Sequence, residues 1–247
     1  YAVVILIIAV LIACFFKDTP EEMGFYSDGK DHPTVVEEEH NKITIRELLK
    51  MKDSWLVIVS FGILNFGILC ITSFFVTTML TKGVPAGVYV PALSIGAALG
   101  LVASFLLGVI DDRKGTPVAS IVMCGFYILG FLGMILTSET SMLTIAMATV
   151  GYATITGGCS NLHSSINTYV FGQKNYLSVT RILAAIHGVI GAFASMYMGY
   201  FIAKGQINTP YYILIVAVII AIIALVILAR KPAYDSEEAR KARNEAA

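Results

Sequence analysis

Residues 108–117 read Gly108-Val109-Ile110-Asp111-Asp112-Arg113-Lys114-Gly115-Thr116-Pro117, and the fold turns on them. An apolar run ends here in two acids and two bases, and another apolar run begins just past the proline. Gly115 permits a tight turn, and Pro117 suits the first turn of a helix. Asp112 is placed to accept from a neighbouring helix N-terminus or to pair with a cation. The stretch reads as a short polar loop joining two long helices.

Outward from this loop, the chain divides into apolar runs of about 20 residues, the length needed to cross a bilayer core. Seven such spans fit: 1–16, 54–80, 87–110, 117–137, 142–170, 177–203 and 210–229. Of the 247 residues, 57% are hydrophobic and 14% charged, whereas a soluble domain carries about 25% charge. That leaves too little polar surface to clothe a water-soluble enzyme, and the apolar runs exclude a disordered chain. Seventeen Lys and Arg balance seventeen Asp and Glu, so no net field recruits nucleic acid. The expected fold is all-α: a polytopic membrane protein with seven transmembrane helices.

The first span opens at Tyr1 in mid-run and leads into Lys17 and Asp18 instead of a small-residue cleavage site. The expectation is that the chain is the back part of a longer protein. Cys14, Cys70, Cys124 and Cys159 each fall inside a span and read as small apolar fillers, and no cofactor or metal ligand set is expected.

Positive charge gives the orientation. If the 17–53 loop is cytoplasmic, the inner side holds Arg113, Lys114, Lys174, Arg181 and the basic tail 230–247, and the outer side holds Lys82 and Lys204. This positive-inside bias places the long loop and the C-terminal tail in the cytoplasm of a cell membrane. The long loop carries an acidic run, Glu37-Glu38-Glu39, and then Thr44-Ile45-Arg46-Glu47, a capping box expected to start a short helix before Trp55.

Polarity follows a three-helix rhythm. Spans 1–16, 117–137 and 210–229 are almost purely aliphatic and can face lipid all round. The other four carry Asn, His, Ser and Thr, which lipid cannot satisfy, and so are expected to line something wet. Gly96, Gly100, Ser104 and Gly108 on one span, and Gly191, Ser195 and Gly199 on another, recur every four residues, a pattern for close helix packing or for sliding.

Read as G-x-x-x-D-R-x-G through Gly108, Asp112, Arg113 and Gly115, the opening stretch resembles the signature loop of the major facilitator superfamily, which recurs in each six-helix half. The resemblance covers the whole chain: 1–16 as the last helix of the N-terminal bundle, 17–53 as the cytoplasmic central loop and 54–229 as the C-terminal six-helix transport bundle. It implies that the third, sixth, ninth and twelfth helices are peripheral, matching the three aliphatic spans. Thr116 stands where the family often has a further basic residue. Thr19-Pro20-Glu21-Glu22-Met23-Gly24-Phe25-Tyr26-Ser27-Asp28-Gly29 and Phe171-Gly172-Gln173-Lys174-Asn175-Tyr176 resemble the oxalate/formate antiporter and monocarboxylate transporter branch.

That resemblance implies a non-enzymatic secondary transporter of a small organic anion, with the bilayer, the solute and the missing N-terminal bundle as partners. Asn65, Asn161, His187 and Arg181 are the candidate solute-binding residues, and Gly108, Asp112, Arg113 and Gly115 the gating motif. Arg181 also has a competing role at an inner gate, where the family's eleventh helix meets the first half. His163 reads as structural. The branch holds carboxylates with basic residues on its eighth and eleventh helices, but 87–110 contains no Arg or Lys. No Asp or Glu lies inside any span, which favours anion exchange or facilitated uptake over proton coupling. A seven-helix receptor lacks support: 210–229 has no Lys and no N-P-x-x-Y, and the first inner loop is too long. A facilitator of another solute class, such as a sugar or a drug, remains the alternative.

Overall fold

The computed structural model describes residues 43–139 and 141–236. By packing, the chain divides into Tyr1–Glu39 and His40–Ala247, and every described residue belongs to the second unit. The expected span 1–16, Cys14, the Glu37-Glu38-Glu39 run and the tail beyond Ser236 lie outside the described residues.

The helices are α1 (Ile45–Lys50), α2 (Lys52–Thr81), α3 (Ala86–Lys114), α4 (Thr116–Leu136), α5 (Met142–Phe171), α6 (Tyr176–Ala192), α7 (Ala194–Ala203) and α8 (Thr209–Ala229), with a 3₁₀ turn at Gln173–Asn175. Among the described residues six rods are long and apolar enough to cross a bilayer, counting Gln173–Ala203 as one. The protein is thus a polytopic all-α membrane protein. Span 177–203, expected as one helix, is interrupted at Phe193, whose N–H bonds to the Ile190 carbonyl three residues back and tightens the turn.

The capping box forms as expected. The Thr44 N–H donates to Glu47 Oε2 at 2.8 Å and the Glu47 N–H to Thr44 Oγ1 at 3.4 Å, so α1 begins where both donors are satisfied. These bonds hold the exposed Glu47 carboxyl below its usual range. Trp55 Nε1 then donates to the Leu49 carbonyl at 2.9 Å, tying α1 to α2.

The three-helix rhythm is only partly realised within this unit. The aliphatic α4 does not face outward all round: 56% of its most apolar stretch is buried, against 17% for α3. α4 sits between α5 and α8, burying Tyr127, Phe131 and Met134. α3 packs one stripe onto α5 and leaves Leu101, Val102 and Phe105 exposed. The stripe does what small residues allow: a Cβ on Gly100 would lie 3.1 Å from the Ala153 carbonyl, and Gly157 comes directly against Gly100. Gly108 and Gly199, by contrast, have nothing within 4 Å of a Cβ position.

Many hydroxyls taken as signs of a wet interior are satisfied inside their own helix. Thr72, Thr149, Thr154 and Thr156 each donate to the carbonyl four residues earlier, at 2.7–2.9 Å. The polar groups that cross between helices are fewer. They define the site.

Candidate functional site

α2, α5 and α6 converge around two imidazoles. Nδ1 of His187 on α6 lies 2.8 Å from Nε2 of His163 on α5, and the rings are 4.8 Å apart between centroids. Phe61 of α2 stacks on His163, with centroids 5.4 Å apart and planes 17° off parallel. One turn along α2, Asn65 donates through Nδ2 to the His187 carbonyl at 3.0 Å. That carbonyl belongs to a helix, so Asn65 uses its second lone pair without costing α6 a backbone bond. Gly191 makes the approach possible, since a Cβ there would lie 3.1 Å from Asn65 Nδ2.

Burial grades across the pair. His187 is 1% exposed, and its Nε2 is buried with no hydrogen-bond partner, facing α2 where Ile58 and Gly62 lie. His163 is only half-buried, and its Nδ1 is not sealed off. Among the described residues no charged side chain lies against either ring. A polar pair thus stands in an apolar bundle with one end enclosed and the other open.

Of the sequence candidates, the structure joins Asn65 to His187 and adds His163 and Phe61. His163, read as structural, is the direct partner of His187. The clue was available in an imidazole inside an apolar span, on its inner half, but the rotation that turns it toward α6 was not. Asn161 lies apart: it is exposed and donates through Nδ2 to Ser104 Oγ on α3 at 2.6 Å. Two turns after Asn161, the buried Asn167 donates to Thr180 Oγ1 of α6 at 3.0 Å, leaving its own Oδ1 unpartnered. Arg181 is exposed near the start of α6 and contacts neither His nor Asn65.

The polar loop expected between two helices is not a loop: α3 stays helical through Lys114, and Gly115 alone separates it from α4. Gly115 adopts φ +86° and its N–H bonds the Asp111 carbonyl at 2.8 Å, a turn only glycine takes without strain. The carboxylate that serves the next helix is that of Asp111, which accepts from the buried Thr116 hydroxyl at 2.6 Å. Asp112, expected to meet a helix N-terminus or a cation, and Arg113 are exposed and bonded to nothing among the described residues.

The same end is strapped by the chain that follows α8. Tyr169 donates its hydroxyl to the Lys231 carbonyl at 2.8 Å and accepts the Tyr234 N–H at 2.9 Å, and Gln173 N–H donates to Asp235 Oδ2 at 2.9 Å. Lys231 pairs with Asp53 at the start of α2.

A family model described as Major Facilitator Superfamily matches residues 1–176. The chain belongs to the Major Facilitator Superfamily. No curated protein and no solved structure matches it. The superfamily match takes in Asn65, the 108–115 motif and His163, and ends where α6 begins, so His187, a candidate from the sequence, lies beyond the matched residues. As a member of the Major Facilitator Superfamily the protein is a multi-pass membrane transporter, and its partners include a small solute and the bilayer.

Proposed function

We propose that α2–α8 are the second six-helix bundle of a secondary transporter that carries a small organic anion, a mono- or dicarboxylate, by alternating access. The observation that carries this reading is the Asn65–His187–His163 cluster, which places polar groups at the meeting of α2, α5 and α6 with an open edge at His163. Polar side chains at membrane depth persist where they face a cavity or a partner, and a midplane site between two bundles is where a carrier needs them. Imidazole and amide donors suit a carboxylate, and the described spans hold no acid near the site to repel one.

In this reading Asn65 and His187 form the solute site, open at its His163 edge, and Arg181 and the 108–115 gating motif stand at the inner end of the bundle. Asn161 lines the α3–α5 seam. The strapped end, with Arg113, Lys114, Lys174 and Arg230, faces the cytoplasm. The likeness of 19–29 and 171–176 to the oxalate/formate and monocarboxylate branch supports a carboxylate cargo and antiport.

Counterflow tests it. Proteoliposomes bearing the full-length protein and preloaded with unlabelled oxalate, formate or lactate are expected to accumulate the labelled anion transiently. His187→Ala should cut that accumulation at least tenfold and Asn65→Ala severalfold. Wild-type counterflow in both variants would remove the cluster from the solute path.

A further inference from the structure

Between α3 and α4 the surface of the bundle carries a groove of about 540 Å³. Its origin lies in how the two helices are held. Each is drawn onto α5: α3 where Gly157 meets Gly100 and Leu107 lies over Gly158, α4 where Gly151 meets Gly130. The side chains between them do not close the gap. Leu106, Val109 and Ile110 form one wall, and Val122 and Phe126 the other. At the floor the Thr154 hydroxyl of α5 is spent on the Val150 carbonyl at 2.9 Å. No donor or acceptor is left among the lining side chains, so the groove takes hydrocarbon.

The charges stand at the end where α3 meets α4. Helix positions four apart share a face, so Arg113 stands one turn past Val109 and Lys114 one turn past Ile110. Both cations are exposed and have no partner among the described residues. The acids of the same turn are directed elsewhere. The Asp111 carboxylate accepts the Thr116 hydroxyl at 2.6 Å, and Asp112 stands one turn past Gly108, which is not part of the groove. One turn of helix rises about 5 Å, room for a glycerol backbone between a phosphate on the cations and a chain between the walls.

We infer that this groove binds an anionic phospholipid, with one acyl chain between α3 and α4 and the headgroup phosphate on Arg113 and Lys114. Basic residues between helix ends at a membrane surface attract anionic headgroups, and a guanidinium takes a phosphate through two N–H donors. A zwitterionic lipid offers the same chain and phosphate but brings a cation of its own to the pair, so it is the poorer ligand. The site does not depend on which solute is carried. Only its leaflet, the cytoplasmic one, follows from the orientation proposed above.

The test is quenching of a tryptophan placed in the groove. Full-length Val122→Trp is reconstituted in phosphatidylcholine bilayers with rising fractions of brominated-chain phosphatidylglycerol or, in parallel, brominated-chain phosphatidylcholine. The emission of the wild type, from Trp55, is subtracted. Phosphatidylglycerol should reach half-maximal quenching at a bilayer fraction about fivefold lower than phosphatidylcholine, and adding Arg113→Gln and Lys114→Gln should erase that preference. Equal quenching by the two lipids means that a chain lies there without a headgroup site, and overturns the inference. A preference that survives loss of both cations overturns it as well. No quenching by either lipid means that another part of the full chain covers the groove, which refutes the site. Should Val122→Trp not fold, native mass spectrometry of the wild type and the Arg113→Gln, Lys114→Gln variant decides, since both substitutions fall on exposed side chains. Phosphatidylglycerol should stay on the wild type through delipidation and leave the variant, and equal retention refutes the site.

Discussion

Gly130 of α4 and Gly151 of α5 cross backbone to backbone: a Cβ on Gly130 would stand 3.0 Å from the Gly151 Cα, and one on Gly151 would overlap Gly130 outright. Lipid supplies no hydrophobic drive between helices, so this close approach is itself what holds α4 to α5. Gly151→Ala should destabilise the solubilised protein by about 1–3 kcal/mol, since the obstructing atoms are backbone and cannot turn aside. Gly125→Ala is the control, as nothing lies within 4 Å of its Cβ position. It should be neutral or stabilising by up to about 1 kcal/mol. Equal melting shifts in the two variants would refute the crossing.

The fully buried Tyr127 hydroxyl donates to the Leu64 carbonyl at 2.8 Å, joining α4 to α2. Tyr127→Phe keeps the ring beside Phe131 and removes one bond. Interhelical hydrogen bonds in bilayers average about 0.6 kcal/mol and reach about 1.7, because the unfolded chain in lipid also finds partners. The loss should fall in that range by chemical or thermal unfolding. A loss above about 3 kcal/mol would mean the hydroxyl anchors more than Leu64.

What could be read from the sequence and what could not divide along a physical line. Spans are legible because a run of about 20 apolar residues has one economical use, and the Thr44 box because its two bonds are local. Facing is not. Neighbouring helix positions differ by about 100°, so choosing Asp111 over Asp112 for the Thr116 hydroxyl depends on where α4 starts. Asn65 and His187 were recognisable as mid-span polar residues, but their meeting depends on Gly191 admitting the amide, and His163 joins them only through the rotation of α5. Asn161 points the other way, to Ser104. The aliphatic composition of α4 suggested an outer helix. Its glycines let α5 come close, and Tyr127, Phe131 and Met134 fill the interior.

Lys82, just past α2, spans to the end of α4 and donates to the Met134 and Ile135 carbonyls, both at 2.6 Å. Burial pushes its ammonium down to about 8 from the ordinary 10.5. Between those values the unfolded chain holds a proton that the folded one has released, so this group makes stability rise with pH across that window. Below it, the cost of the buried charge is fully present. The melting temperature of the wild type minus that of Lys82→Met should therefore climb from neutral to alkaline pH. A flat or falling difference contradicts it.

The strap at the motif end should be held by its backbone bonds more than by its ion pair. Lys231 and Asp53 are 49% and 33% exposed at the side chain, so Asp53→Asn should cost no more than about 1 kcal/mol. Asp235 is different in kind, because its carboxylate takes the Gln173 N–H at 2.9 Å in the turn that leads into α6. Removing it leaves that amide to water. Hydrogen exchange reads the difference directly: in Asp235→Ala the Gln173 amide should exchange at least fivefold faster, the size of a bond worth about 1 kcal/mol, with the Ala119 amide of α4 unchanged. If Asp53→Asn frees Gln173 as much as Asp235→Ala does, the strap is pinned by charge, and the Tyr169 and Asp235 bonds follow it.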